Sequence, residues 1–92
     1  MTAVVATAAV KDPTTNLSTV TIDRAHPVPS PGRGQVLIAA QASSVNPVDW
    51  KILESGDLST LLSFPHVLGF DVAGTVAAVG AGCKRLSVGD EV

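Results

Sequence analysis

Five of the eight residues from Pro27 to Gly34 are proline or glycine, and this stretch divides the chain. Proline at 27, 29 and 31 removes three backbone donors, while glycine at 32 and 34 admits positive φ. No helix or central strand passes through such a segment. On its N-terminal side, residues 3–10 read as a first strand, followed by a turn-rich stretch, Lys11-Asp-Pro-Thr-Thr-Asn16. Leu17 to Asp23 alternates apolar and polar residues as a second strand. On its C-terminal side, Gln35 to Ala42 reads as a third strand. Val36, Ile38, Ala40 and Ala42 lie on one face and Leu37, Ala39 and Gln41 on the other, which predicts cover on both sides.

A short helix is expected next. Asn46 is a good N-cap, Pro47 suits the first helical position, and Asp49 stands where a capping box puts its acid. Val48 and Ile52 repeat at i, i+4, and Gly56 serves as terminator. A further strand runs to Val79 with Gly69, Gly74 and Gly80 around it, where missing side chains permit bulges or close backbone approach. Gly80-Ala-Gly82 turns the chain, and Ser87 to Val92 begins another strand. Trp50 reads as a core anchor, because aromatics are 3% of the chain.

A 92-residue chain supports one modest core. Hydrophobic residues make up 46%, dominated by valine and alanine, which favours a mainly β fold. The net charge of −2 and scattered Lys and Arg exclude a phosphate-tracking surface, so no nucleic acid partner is expected. Asp71 and Thr75 interrupt the best apolar run, Val67 to Cys83, and no membrane span is expected. The N-terminus lacks a basic leader, and Cys83 has no disulfide partner within the chain. Both point to an intracellular, cytoplasmic setting, with an organelle left open.

Three segments in this order and spacing resemble the N-terminal GroES-like catalytic domain of the medium-chain dehydrogenase/reductases. They are Gly34-Gln-Val-Leu-Ile-Ala-Ala through Ser44-Val-Asn-Pro-Val-Asp-Trp-Lys51, Pro65-His-Val-Leu-Gly-Phe-Asp-Val-Ala-Gly-Thr-Val-Ala-Ala-Val-Gly80, and Val88-Gly-Asp-Glu-Val92. The Asn-Pro-Val-Asp-Trp-Lys string is most similar to quinone-oxidoreductase and enoyl-reductase members. The resemblance implies a partly closed, GroES-like β-barrel with one short helix, cut before completion. Residues 1–92 are then the N-terminal part of a catalytic domain, with no Rossmann segment. Gly80-Ala-Gly82 is no dinucleotide fingerprint, since no third glycine and no helix follow.

Zinc-dependent members of this family carry a cysteine where this chain has Asn46 and a His-Glu pair where it has Phe70-Asp71. A benzene ring cannot ligate a metal, and an amide is a poor partner for Zn²⁺ beside thiolate or imidazole. The resemblance therefore implies no metal site and no zinc. Without a Lewis acid, hydride transfer suits an acceptor that spreads its own charge. The implied activity is reduction of quinones or conjugated enones by NADPH or NADH, in the parent protein rather than in these residues alone.

The resemblance puts Asn46, with Asp49, on the cofactor side of the cleft and Lys51 near the substrate as the catalytic candidate. Each has a structural reading as well. Asn46 and Asp49 are explained by the helix start, and Lys51 by a solvated place near the helix end, favourable to its dipole. Asn46 and Lys51 are separated by about 140° at 100° per residue. His26 and His66 read as loop histidines. Two other functions remain open: a stand-alone β-barrel interaction module, with a homo-oligomer formed through its last strand, and a zinc alcohol dehydrogenase with altered ligands.

Overall fold

The computed structural model describes residues 1–10, 18–54 and 61–92. In chain order the elements are β1 (Ala3–Ala6), β2 (Val20–Asp23), β3 (Val36–Ser43), α1 (Pro47–Lys51), β4 (His66–Val67) and β5 (Val72–Val79). They fall into two compact units, Met1–Pro27 with Val45–Phe70, and Val28–Ser44 with Asp71–Val92. The first boundary lies in the proline-rich connector, as its composition requires. The described residues are thus mainly β with one short helix, in two sheets and no closed barrel.

The first unit holds an antiparallel sheet in the order β2-β1-β4. Val4 faces Ile22 across β1 and β2, and Val5 faces Val67 across β1 and β4. Backbone bonds in both directions between Met1 and His26 close one end of the β1–β2 pair, at 2.8 and 2.9 Å. β1 is shorter than the expected 3–10. Beyond Ala6, the Thr7 backbone N–H and hydroxyl both turn to the Thr19 carbonyl, and the Thr19 hydroxyl donates to Ala8. These hydroxyls bond across the pair, 11 and 12 residues apart in sequence, where the regular ladder of β1 and β2 ends. The chain rejoins the unit at Val10, whose N–H donates to the Leu53 carbonyl at 2.8 Å. β2 begins at Val20 rather than Leu17, and Leu17 lies outside the described residues, as do the expected 11–16 turn and the Gly56 terminator.

Ala6, Val10 and Leu53 form the buried cluster of this unit, with Val20, Ile52, Leu62, Phe64 and Leu68 packed against it. Leu53 is 2% exposed, and burying a leucine this fully stabilises by about 2–3 kcal/mol. The helix turns a different face inward from the one its valine predicts. Asp49 and Leu53, four residues apart, are buried, whereas Val48 is exposed and Ile52 half-buried. Trp50, expected in the core, is 40% exposed. It sits about 100° around the axis from Asp49, away from the buried stripe.

The second unit is built on the antiparallel pair β3–β5. Its register shifts twice, between Leu37 and Ile38 and between Ala40 and Ala42. Gln41 is the extra residue at the second shift, so the expected alternation of faces does not persist along β3. Val36 to Ile38 are half-buried, but Ala39 to Ser43 are exposed, and the strand lacks the two-sided cover expected of it. Short alanine side chains on a two-stranded ladder have little to bury against. The far edge of β5 is occupied: Gly74 and Val92 exchange backbone bonds at 2.9 Å, and Val76 bonds to Asp90 and Gly89. The C-terminal residues therefore do pair with β5, but through an isolated bridge between Thr75 and Glu91 after a turn at Val88 and Gly89, not as the strand expected from Ser87.

The glycines of this pair are steric necessities. A Cβ on Gly74 would stand 2.1 Å from the Ala39 carbonyl oxygen, and one on Gly80 would stand 1.9 Å from that of Gly32. Both positions need the close backbone approach that glycine alone permits.

Candidate functional site at the helix start

Asn46 has extended backbone, φ −129° and ψ 163°, and the chain turns helical at Pro47. That change is what an N-cap followed by a proline produces, since proline's fixed φ suits a first turn and its missing N–H is no loss there. The Asn46 backbone N–H donates to Oδ2 of Asp49 at 2.6 Å, while the Asp49 N–H donates to the Asn46 carbonyl at 2.9 Å. Asn46 is therefore gripped from both sides of its own peptide by one residue. The short N–H to carboxylate bond is of the charge-assisted kind.

Asp49 is 8% exposed, and its second oxygen, Oδ1, is buried with no hydrogen-bond partner. A carboxylate held this deep contributes by fixing what it touches. Of the three sequence candidates, Asn46 and Asp49 are brought into direct contact, and Lys51 is not part of that contact. Lys51 closes the last turn of α1, fully on the surface, with no ion pair or hydrogen bond among the described residues. Its ammonium lies at the negative end of the helix.

Phe70, in the first unit, is 59% exposed. Asp71, in the second, anchors the end of β3. Its Oδ2 accepts from the Ser44 hydroxyl and its carbonyl from the Ser43 hydroxyl, each at 2.8 Å. This pairing spans about 27 residues of chain, and no local motif announces it. The burial of Asp49 in place of Val48 was also hidden, because an acid in the first turn usually reads as solvated. His26 pairs its Nδ1 with Asp23 at 3.1 Å, and His66 is half-buried on β4. The Ala25 backbone N–H, and then the His26 ring, hold the Asp23 carboxyl below the usual aspartate range. Among the described residues, no group of three or more His, Cys, Asp or Glu side chains is placed to hold a metal.

The mainly β architecture, the glycine-built β5 and the Asn-Pro-Val-Asp helix start define a class of domain. The model of the alcohol dehydrogenase GroES-like domain matches residues 32–92, and the chain belongs to that family. It is 44% identical over 68 residues to a chloroplastic quinone oxidoreductase of Triphysaria versicolor, a match covering 72% of this chain and 20% of the relative. It is 45% identical over 65 residues to a chloroplastic NADPH-dependent alkenal/one oxidoreductase of Arabidopsis thaliana, covering 71% of this chain and 17% of the relative. The chain thus spans about a fifth of the length of the curated relatives it matches.

Among solved structures, a mycobacterial quinone oxidoreductase superposes with a TM-score of 0.78 at 35% identity, over 99% of this chain and 26% of that one. A mycobacterial protein complexed with NADPH superposes equally well, with a TM-score of 0.78 at 33% identity, over 99% and 26%. A cobalt- and zinc-bound alcohol dehydrogenase from Pyrobaculum aerophilum gives 0.73 at 28% identity, over 100% and 25%. The same backbone is therefore shared by a metal-bound neighbour, and the side chains must distinguish the chemistries.

Asn46 is half-buried on a backbone locked by a buried acid, and an amide both donates and accepts hydrogen bonds.

Proposed function

We propose that this chain is the N-terminal part of the catalytic domain of an NAD(P)H-dependent, zinc-independent reductase of quinones or conjugated enones. The reading rests on one observation above all. At the position where metal-dependent relatives are expected to carry a thiolate stands Asn46, immobilised by the buried Asp49 carboxylate at 2.6 Å. The names of the relatives point to the same acceptors, and a neighbour complexed with NADPH supports the cofactor. We place the protein inside the cell, where reduced nicotinamide is found. No helix of the described residues is long and apolar enough to cross a membrane.

When bound, the cofactor supplies hydride; the chain supplies placement. Asn46 holds the carboxamide or the acceptor oxygen by its side-chain amide. Asp49 is a positioning residue that acts only through Asn46, because its reachable oxygen is already engaged and its other one is buried. Lys51 presents an exposed ammonium that stabilises negative charge developing on the acceptor oxygen, or delivers a proton to it from Nζ. Fixed donors of this kind act by orientation and preorganised charge.

The test uses the full-length protein, with NADPH oxidation followed against a quinone and an enone before and after exhaustive chelation. Turnover should survive chelation. Asn46→Ala should lower kcat/KM about a hundredfold, as expected when a reactant is misplaced by roughly 1 Å. Lys51→Ala should lower kcat about tenfold to a hundredfold without changing thermal stability. A stoichiometric zinc whose removal abolishes turnover would overturn the proposal.

A further inference from the structure

The connector that divides the chain carries a feature that the reductase reading leaves unused. Ser30 is followed by Pro31, and Arg33 stands three residues on, giving Ser-Pro-Gly-Arg. Ser30 is exposed, lies outside any helix or strand, and its hydroxyl makes no hydrogen bond among the described residues. By contrast, the Ser43 and Ser44 hydroxyls are both engaged by Asp71. Ser30 also lines a recess of about 430 Å³ with Pro29, Pro31, Gln35 and Val36.

The surroundings of Ser30 suit an added anion. The segments 32–35 and 80–82 are stitched together by the Gly34 N–H to the Ala81 carbonyl at 2.8 Å and the Gly80 N–H to the Gln35 carbonyl at 2.7 Å. The Arg33 guanidinium lies over Gly82, within 3.8 Å of where a Cβ on that glycine would be. Lys84 and Arg85 follow at once and line a recess that shares Val36 with the one beside Ser30. Arg33, Lys84 and Arg85 are half of the chain's six cations, and all three belong to the second unit, where the Asp90 carboxylate is already engaged by the Ser87 N–H at 2.9 Å.

From these placements we infer that Ser30 is a phosphorylation site for a proline-directed serine/threonine kinase, and that the phosphate is received by the Arg33, Lys84 and Arg85 cluster. Proline at 31 has no N–H and cannot continue a strand, so the segment stays available to an enzyme that binds its substrate extended. In the reaction, the Ser30 oxygen attacks the γ-phosphorus of ATP. An O–P bond forms, the bond to the ADP leaving group breaks, and the hydroxyl proton passes to the kinase's base. The product is a near-dianion with three acceptor oxygens, which guanidinium and ammonium groups bind by charge-assisted hydrogen bonds.

The experiment incubates the folded full-length protein with ATP and a proline-directed kinase, and locates phosphate by peptide mass spectrometry. Phosphate should enter at Ser30, vanish in Ser30→Ala and fall sharply in Pro31→Ala. All three proteins should keep the same melting temperature and reductase rate, since Ser30 has no internal partner. The phosphorylated protein should melt above the unmodified one at low salt, and the gain should disappear in an Arg33→Ala/Lys84→Ala/Arg85→Ala variant. Phosphate entering only after denaturation, or only at other hydroxyls, would refute the site. An unchanged or lowered melting temperature would refute the cation cluster as its receiver.

Discussion

The two units of this chain achieve order by different means. The first, built from β1, β2, β4 and α1, is organised by side chains, with Ala6, Val10 and Leu53 enclosed by larger neighbours. The second, built on β3 and β5, has Val76 as its one large buried side chain among the described residues and relies on backbone approach. There Gly74 and Gly80 bring carbonyls closer than any side chain would tolerate. A unit packed by side chains can yield around a substitution, since neighbours partly collapse into the space. A unit packed by main chain cannot, because the obstructing atoms belong to the ladder itself. The candidate chemistry is placed accordingly: Asn46, Asp49 and Lys51 all lie in the first unit.

Substitution at Gly74 is the hardest test of this contrast. Gly74→Val in the full-length protein should cost on the order of 4 kcal/mol, or prevent folding, as severe steric substitutions do. Denaturant unfolding measures it, and a cost below that of a core truncation would break the contrast. Leu53→Ala should come next, at about 3 kcal/mol by the same measurement, the middle of the range for buried leucine truncations.

Smaller effects sharpen the picture. Asp49→Ala removes the grip on the Asn46 N–H and should cost about 1–2 kcal/mol, in line with loss of a helix cap. If Asp49 is a positioning residue, this variant should also raise KM for NADPH more than it lowers kcat. Gly34→Ala should cost about 1 kcal/mol: a Cβ there meets nothing, and only the φ of +72° resists it.

The smallest expected effect is a pH dependence in the first unit. The Ala25 N–H and the His26 ring depress the Asp23 carboxyl, so the folded state binds that proton less readily than the unfolded one. The stabilisation is present above the ordinary aspartate range and is lost as pH falls through the depressed value. Asp23→Asn should therefore flatten the acid limb of a stability profile taken from neutrality to about pH 3. No change in the acid limb would show the pairing to be inert.

Much of this was legible in advance. The helix start at Asn46 follows from Asn, Pro and Asp within four residues, the break at 27–34 from proline and glycine, and the β character from valine. The three spaced motifs that point to the GroES-like family are likewise contained in short strings. Caps, turns and missing donors act over one helical turn or less, so neighbouring residues settle them.

Which face of α1 turns inward was settled elsewhere. Val48 and Ile52 offered an apolar pair, yet Asp49 and Leu53 are buried, because Leu53 meets Val10 and Ala6 from distant parts of the chain. The two exposed stretches that alternation hid, in β3 and at Trp50, have the same origin, as does the engagement of Asp71 by Ser43 and Ser44. Burial and steric exclusion are properties of what arrives opposite a residue. A strand or hydroxyl contributed from some thirty residues away leaves no trace in the local pattern, and for these features only the tertiary structure decides.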